Sequence, residues 1–229
     1  MTNVPGRPVD AVLFDLFGTL LSLRPLDDVC ETLAPGRGAE LADRWRARQL
    51  ELSWLRTAMQ LWVDFDRVTE DALENVLREM DVAAEPAAVA GTAGAFRDLP
   101  VNPEVAKVLE ALRDGGLRTG ILTNASVATL ASVLRRTGLD VDYALSVDAA
   151  RRFKPHPAVY ELGTKATGLP ADRIGFVTGN AWDAAGAGTH GFRVAWLRPP
   201  GTGAALPPVG APQPIEATWN DIPGIFLGR

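Results

Sequence analysis

The organisation of this chain follows from one stretch, "AVLFDLFGTLLSL", residues 11–23. Ala11, Val12, Leu13 and Phe14 form an unbroken apolar run that stops abruptly at a carboxylate, Asp15. A strand apolar on both faces belongs inside a parallel sheet covered by helices. A charge at the end of such a strand needs a task or a turn to stabilise.

Working outward, the chain from residue 101 alternates helical and strand patterns. "NPEVAKVLEALRDGG" predicts a helix with Asn102 as N-cap and Pro103 at the first helical position. "LRTGILTNA" reads as a strand, "SVATLASVLRRTGL" as a helix ending at Gly138, and "DYALSVD" as a strand. "HPAVYELGTKATGL" is helical, "RIGFVTGN" a strand, "AWDAAGAGTHG" a short helix and "FRVAWL" a strand. This alternation predicts βαβ units, right-handed crossovers and a Rossmann-like α/β fold with a parallel sheet flanked by helices. Residues 22–100 instead carry only helical patterns: "GAELADRWRARQLELSWLRTAMQLWVDF", "TEDALENVLREM" and "EPAAVAGTAGAFRDL". The expected division is a core domain of residues 1–21 and 101–229 with an inserted helical cap subdomain of residues 22–100, set over the C-terminal edge of the sheet, where α/β proteins bind ligands. The Pro- and Gly-rich "RPPGTGAALPPVGAPQP" is expected to be a mobile or surface loop.

With 229 residues, 47% apolar and 22% charged, the chain has the composition of a soluble globular protein. No segment is apolar for long enough to span a bilayer, and "MTNVPGRPVD" lacks the apolar core of a signal peptide. A cytoplasmic location is the expectation, and the single cysteine, Cys30, agrees with a reducing compartment and reads as a packing thiol. A net charge of −5 argues against an extended nucleic-acid footprint. "GAGTHG", residues 186–191, fits a dinucleotide fingerprint but ends a helix instead of opening one, so it is rejected. His156 and His190 are too isolated to make a metal site.

The polar exceptions converge. Asp15 ends the first strand, Thr123 and Asn124 the second, Lys154 follows the third, and Thr178, Asn180 and Asp183 follow the fourth. In an open parallel sheet these strand ends lie side by side, so residues distant in sequence surround one cleft. Each alone is a common turn former or helix cap; four strand ends together point to a site. Lys154 is expected to serve an open cleft, so that its removal spares stability.

"DLFGTL", "LTNAS", "KPHPAVYEL" and "TGNAWDAAGA", in this order and spacing, resemble the four motifs of the haloacid dehalogenase superfamily, and within it the L-2-haloacid dehalogenases. "LADRWRARQLELSWLRTAMQ" resembles their first cap helix, so the likeness covers nearly the whole chain. It implies a hydrolase without cofactor or metal, a small haloacid as substrate and a homodimer. The resemblance also explains Phe17. Phosphatases of the superfamily carry at that position an acid that protonates the leaving oxygen. Phe17 has no proton to give, and a halide needs none.

The implied reaction converts an (S)-2-haloacid to the (R)-2-hydroxy acid. Asp15 attacks C2 and expels halide, and water then cleaves the resulting ester. Lys154 would hold the Asp15 carboxylate ionised and aimed. Asn180 and Asp183 would orient and activate the water with help from Thr178; helix capping is the competing reading for these residues, and both roles could hold together. Thr19 would brace the Asp15 loop, and Thr123 and Asn124, with their backbone amides, would receive the substrate carboxylate. The residues alone leave Arg44, Arg46, Arg48 and Arg56 indistinguishable; the resemblance assigns Arg46 to the halide. Tyr160, Phe65 and Trp182 read either as pocket lining or as core packing. The chain departs from the family in having Ala47 after the arginine, which would remove a polar group near the halide, and Gly179 where a serine is usual. The rival readings are a magnesium-dependent phosphatase and a non-catalytic binding protein with this fold.

Overall fold

Residues 9–198, 205–207 and 209–228 are described by a computed structural model. Six parallel strands form one sheet in the order β3-β2-β1-β4-β5-β6: β1 (Ala11–Phe14), β2 (Arg118–Thr123), β3 (Tyr143–Ser146), β4 (Ile174–Thr178), β5 (Arg193–Leu197) and β6 (Ile215–Ala217). This is the Rossmann strand order, in which chain direction across the sheet reverses beside the first strand. All of β1 is buried, as its two-sided apolar run requires.

The crossover helices are α5 (Val105–Asp114), α6 (Val127–Thr137), α7 (Pro157–Thr167) and α8 (Ala181–His190), with a final helix α9 (Ile222–Leu227). Ser126 caps α6 by accepting from the Thr129 N–H, and Gly138 ends it in the left-handed region. Asn102 does not cap α5. The helix begins at Val105, and the Asn102 side chain donates instead to the Thr19 carbonyl, behind the Asp15 loop. β6 and α9 had no counterpart in the sequence reading. They are held by Ile222 and Phe226, both buried, with the Phe226 ring lying against Gly175 of β4 so closely that a Cβ there would stand 2.6 Å from it. Of the expected Pro- and Gly-rich loop, residues 199–204 and 208 lie outside the described residues, as do residues 1–8 of the N-terminal stretch.

Between β1 and β2 come α1 (Leu26–Glu31), α2 (Gly38–Met59), α3 (Phe65–Glu79) and α4 (Pro86–Gly94). The insertion is pinched at its base: Leu21 bridges Val101 antiparallel, the Ser22 N–H donates to the Pro100 carbonyl and the Asn102 N–H to that of Leu20, each at 2.9 Å. The helical pattern over residues 38–65 breaks at Gln60, which is left-handed, and α3 starts at Phe65 because the Asp64 side chain caps it by accepting from the Arg67 N–H. α1 was not foreseen; Cys30, on its last turn, is a buried packing thiol whose pKa is pushed up to about 12, first by burial and then by Asp27. No described helix is long and apolar enough to cross a membrane.

Two contacts tie α2 to the segment after β3. The Trp54 indole donates to the Lys154 carbonyl at 3.2 Å, and the Phe153 N–H donates to the Thr57 hydroxyl at 3.0 Å. From α3, Asp66 accepts from the hydroxyls of Ser126 and Thr129, each at 2.9 Å, at the start of α6. The insertion thus grips the loops that follow β2 and β3.

Candidate active site

Asp15 leaves the end of β1 with its N–H donating to the Val177 carbonyl of β4, which fixes it at the reversal point of the sheet. Its carboxylate is held on both oxygens. Oδ2 accepts from the Thr19 hydroxyl at 2.9 Å and from the Asn180 amide at 2.8 Å. Oδ1 accepts from the Lys154 ammonium at 2.9 Å, and the same ammonium donates to Asp183 at 2.8 Å. One cation therefore links two carboxylates, one just past the end of β1 and one in the first turn of α8.

Lys154 is completely buried, not set in an open cleft as the sequence suggested. Burial works against its charge, yet Asp15 and Asp183 outweigh burial and hold the ammonium above its ordinary range. Its Nζ also lies 4.9 Å from the centre of the Phe176 ring. Asp183 is buried as deeply. Burial lifts its carboxyl from 3.8 to about 6; Lys154 opposes the rise and the Asp15 charge adds to it. Such a group favours the folded state most below pH 3.8 and least once the pH has passed about 6, so ionised Asp183 is carried at a cost in stability.

The capping question resolves in favour of Asp15. Asn180 occupies the N-cap position of α8, but its side chain makes no cap bond and donates to Asp15 and to the Phe17 carbonyl. Asp183, in the first turn, faces Lys154 and Tyr160. Tyr160, a candidate for the pocket wall, is fully buried beneath the site. Its hydroxyl donates to Asp183 Oδ1 at 2.7 Å, which leaves it in a supporting position instead of a lining one. Gly186 makes this possible, since a Cβ there would meet the Tyr160 oxygen at 2.4 Å.

Other side chains turn inward on their own loops. The Thr178 hydroxyl accepts from the Asn180 N–H, and the Thr123 hydroxyl from the Ala125 N–H, each at 3.0 Å, so both stabilise turns. Asn124 uses its side-chain oxygen to accept from the Lys154 N–H at 3.0 Å, which ties the segment after β2 to the loop that carries the lysine. Thr19 braces the loop from two sides, because its oxygen also accepts from the Gly179 N–H at 2.9 Å. A Cβ on Gly179 would stand 2.4 Å from the Gly18 carbonyl oxygen, so this loop pairing has no room for a serine.

Phe17 is buried against Phe65, ring centres 6.3 Å apart, and edge-on to Phe96 at 5.1 Å. Phe65 also meets Phe153. These rings form an apolar wall between the sheet loops and α3. Trp182 is half-buried and stands edge-on to Trp54 of α2 at 5.8 Å.

The four arginines of α2 are no longer equivalent. Arg44 pairs with Glu40, Arg48 with Glu51 and Glu79, and Arg56 with Asp71. Among the described residues Arg46 makes no such pair; it donates to the neutral amide of Gln49 at 2.5 Å. Burial pushes its pKa down to about 10, while the charges of Asp15 and Asp183 pull it up, so it stays cationic at neutral pH and faces their field. Ala47 is exposed, and the polar neighbour of the guanidinium is Gln49, which the sequence reading overlooked.

A family model for haloacid dehalogenase-like hydrolases matches residues 9–191. The haloacetate dehalogenase H-2 of Moraxella sp. (strain B) is 36% identical over 193 residues, 83% of this chain and 86% of that one. The (S)-2-haloacid dehalogenase of Pseudomonas sp. (strain YL) is 37% identical over 191 residues, 82% of each. The L-2-haloacid dehalogenase of Xanthobacter autotrophicus superposes with a TM-score of 0.88 at 31% identity, covering 96% of this chain and 99% of that one; with chloropropionic acid covalently bound it scores 0.87. A HAD phosphatase from Thermococcus onnurineus, 21% identical with a TM-score of 0.61, shares the fold. The chain belongs to the haloacid dehalogenase-like hydrolases and, within them, to the L-2-haloacid dehalogenase family.

Proposed function

We propose that this protein hydrolyses an (S)-2-haloacid to the (R)-2-hydroxy acid through an ester on Asp15, beneath a cap made by residues 22–100. The observation that carries the reading is the unequal treatment of the two Asp15 oxygens. Oδ2 receives two donors and Oδ1 only the Lys154 ammonium, so Oδ1 keeps the freer lone pair and is the nucleophile. Oδ1 attacks C2 from the side opposite the halogen, the carbon–halogen bond breaks with its electron pair on the halide, and C2 inverts. Arg46 meets the departing anion. The Phe17 side chain offers neither a proton for an oxygen leaving group nor a carboxylate for magnesium, which separates this reading from a phosphatase.

In the second stage water adds to the Asp15 carbonyl carbon. The charge that develops falls on Oδ2, beneath Thr19 and Asn180, which act as its preorganised donors. Asp183 takes one proton from the water. The Cγ–Oδ1 bond breaks, Lys154 gives a proton to the departing Oδ1, and Asp183 returns one to Lys154 across their 2.8 Å contact. The second water proton stays on the regenerated Asp15 carboxyl and is released to solvent. On the strength of the resemblance, the reading also takes the enzyme to be a cytoplasmic homodimer.

Asp183 must be ionised for the second stage, and the Asp15 charge that helps lift its carboxyl to about 6 is gone in the ester, so hydrolysis of the ester should fall only as the pH drops below about 6, while ester formation is less affected. Rapid-quench profiles of the two stages between pH 4.5 and 8.5 check this. The activity itself is tested with both hands of 2-chloropropionate. Chloride and (R)-lactate should appear from the (S) acid alone. Magnesium-dependent phosphate release from p-nitrophenyl phosphate, with no halide from either acid, would establish the phosphatase instead.

A further inference from the structure

Gln49 has no part in the scheme above, yet it is a completely buried amide on α2. Its two ends are used differently. Nε2 donates to the Thr69 hydroxyl of α3 at 2.6 Å, and Oε1 accepts from Arg46 Nη1 at 2.5 Å. This amide orientation follows from its neighbours at both ends. The Thr69 hydroxyl has one proton and donates it to the Phe65 carbonyl at 2.6 Å, so towards Gln49 it can only accept. A guanidinium has donors only, so towards Arg46 the amide must present oxygen. The chain Arg46–Gln49–Thr69–Phe65 therefore has a single hydrogen-bond sense.

The far end of this chain is fixed. The Trp45 indole donates to the Thr69 carbonyl at 2.8 Å, which locks α3 against α2. Three residues before Thr69, Asp66 accepts from Ser126 and Thr129 of α6 and from Arg97. Arg46 is thereby referenced through α3 to the core of the protein as well as to its own helix. Its partner is also neutral. A carboxylate at position 49 would orient the guanidinium equally well but would neutralise it, whereas an amide leaves the whole charge for an incoming anion.

We infer that Gln49, anchored by Thr69, is a positioning residue that aims the uncompensated Arg46 guanidinium at the departing halide. The inference rests on the assignment of Arg46 to that halide. It is tested by rapid-quench measurement of ester formation and of ester hydrolysis, separately, with (S)-2-chloropropionate. The variants are Gln49→Met, Gln49→Glu, Thr69→Val, Thr69→Ser and Arg46→Lys.

Gln49→Met and Thr69→Val should slow ester formation at least about tenfold and leave hydrolysis of the formed ester within about twofold, the split expected of a misaimed group that acts in one step. Gln49→Glu should slow it as well, by neutralising the arginine, and Thr69→Ser should keep the native rate because it keeps the hydroxyl. Equal slowing of both stages, or native ester formation in Gln49→Met, overturns the inference. Arg46→Lys separates the two failures: if it slows ester formation while Gln49→Met does not, only the positioning role falls. If Arg46→Lys is silent, the halide assignment falls and the inference with it.

Discussion

Replacing Asp15 with asparagine should lower turnover by at least about four orders of magnitude, the scale on which enzymes respond to loss of a covalent nucleophile. The amide nitrogen or oxygen is a poor nucleophile towards C2, and no neighbouring carboxylate can substitute. Asp183 is fully buried and already engaged by Lys154 and Tyr160. The fold should survive, because asparagine fits the same space and can still accept from Thr19. It does leave Lys154 with one carboxylate instead of two, so a modest fall in melting temperature accompanies the loss of activity. Steady-state halide release and thermal melts of Asp15→Asn check both halves of the expectation.

Lys154→Met should be costly twice over. Activity should fall about 10²–10³-fold or more, because the group that holds Oδ1 and later protonates it is gone. Stability at neutral pH should fall by about 3–5 kcal/mol, because Asp15 and Asp183 are left buried side by side without their shared cation. Methionine keeps most of the volume, which confines the effect to charge. The sign with pH follows from Asp183: protonating it removes one of the two like charges, and without the lysine that holds its pKa down this happens above about 6, so the destabilisation should shrink between pH 7.5 and pH 5. Denaturant unfolding of the variant and the native protein at pH 7.5 and pH 5 measures this. Equal stability at pH 7.5 would mean the two carboxylates find other partners.

The contrast with an exposed-cleft lysine marks where sequence reasoning reached its limit. The alternation of apolar strands and capped helices made the sheet legible, and polar residues at the strand ends pointed to the cluster that Asp15, Lys154, Asn180 and Asp183 form. What a linear pattern does not carry is depth. "FKPHP" looks the same whether its lysine faces water or is sealed under Trp54 and Phe176. Direction is lost in the same way. Thr178 and Thr123 stood where a site hydroxyl would be expected, and no linear pattern shows that each also accepts a turn bond from the N–H two residues on.

Tyr160 was noticed for its ring and proved to matter for its hydroxyl, which reaches Asp183 only because Gly186 opposite has no side chain. Gln49 did carry a signal. It lies three residues after Arg46, on the same helical face, which is where a partner for a site arginine sits. The tail was missed for a simpler reason: β6 is three residues long and follows a Pro- and Gly-rich stretch, so no periodicity could develop.

The central claim is that Asp15 becomes covalently joined to the substrate and that water cleaves the ester at the carbon of the protein carboxylate. A single turnover in ¹⁸O-labelled water, with enzyme in excess over (S)-2-chloropropionate, tests it most directly. Mass spectrometry of the peptide containing Asp15 should show one labelled oxygen in the protein, and the lactate formed should be unlabelled, its new oxygen having come from Oδ1. Labelled lactate from an unlabelled protein would contradict the account, since water would then have attacked C2 itself.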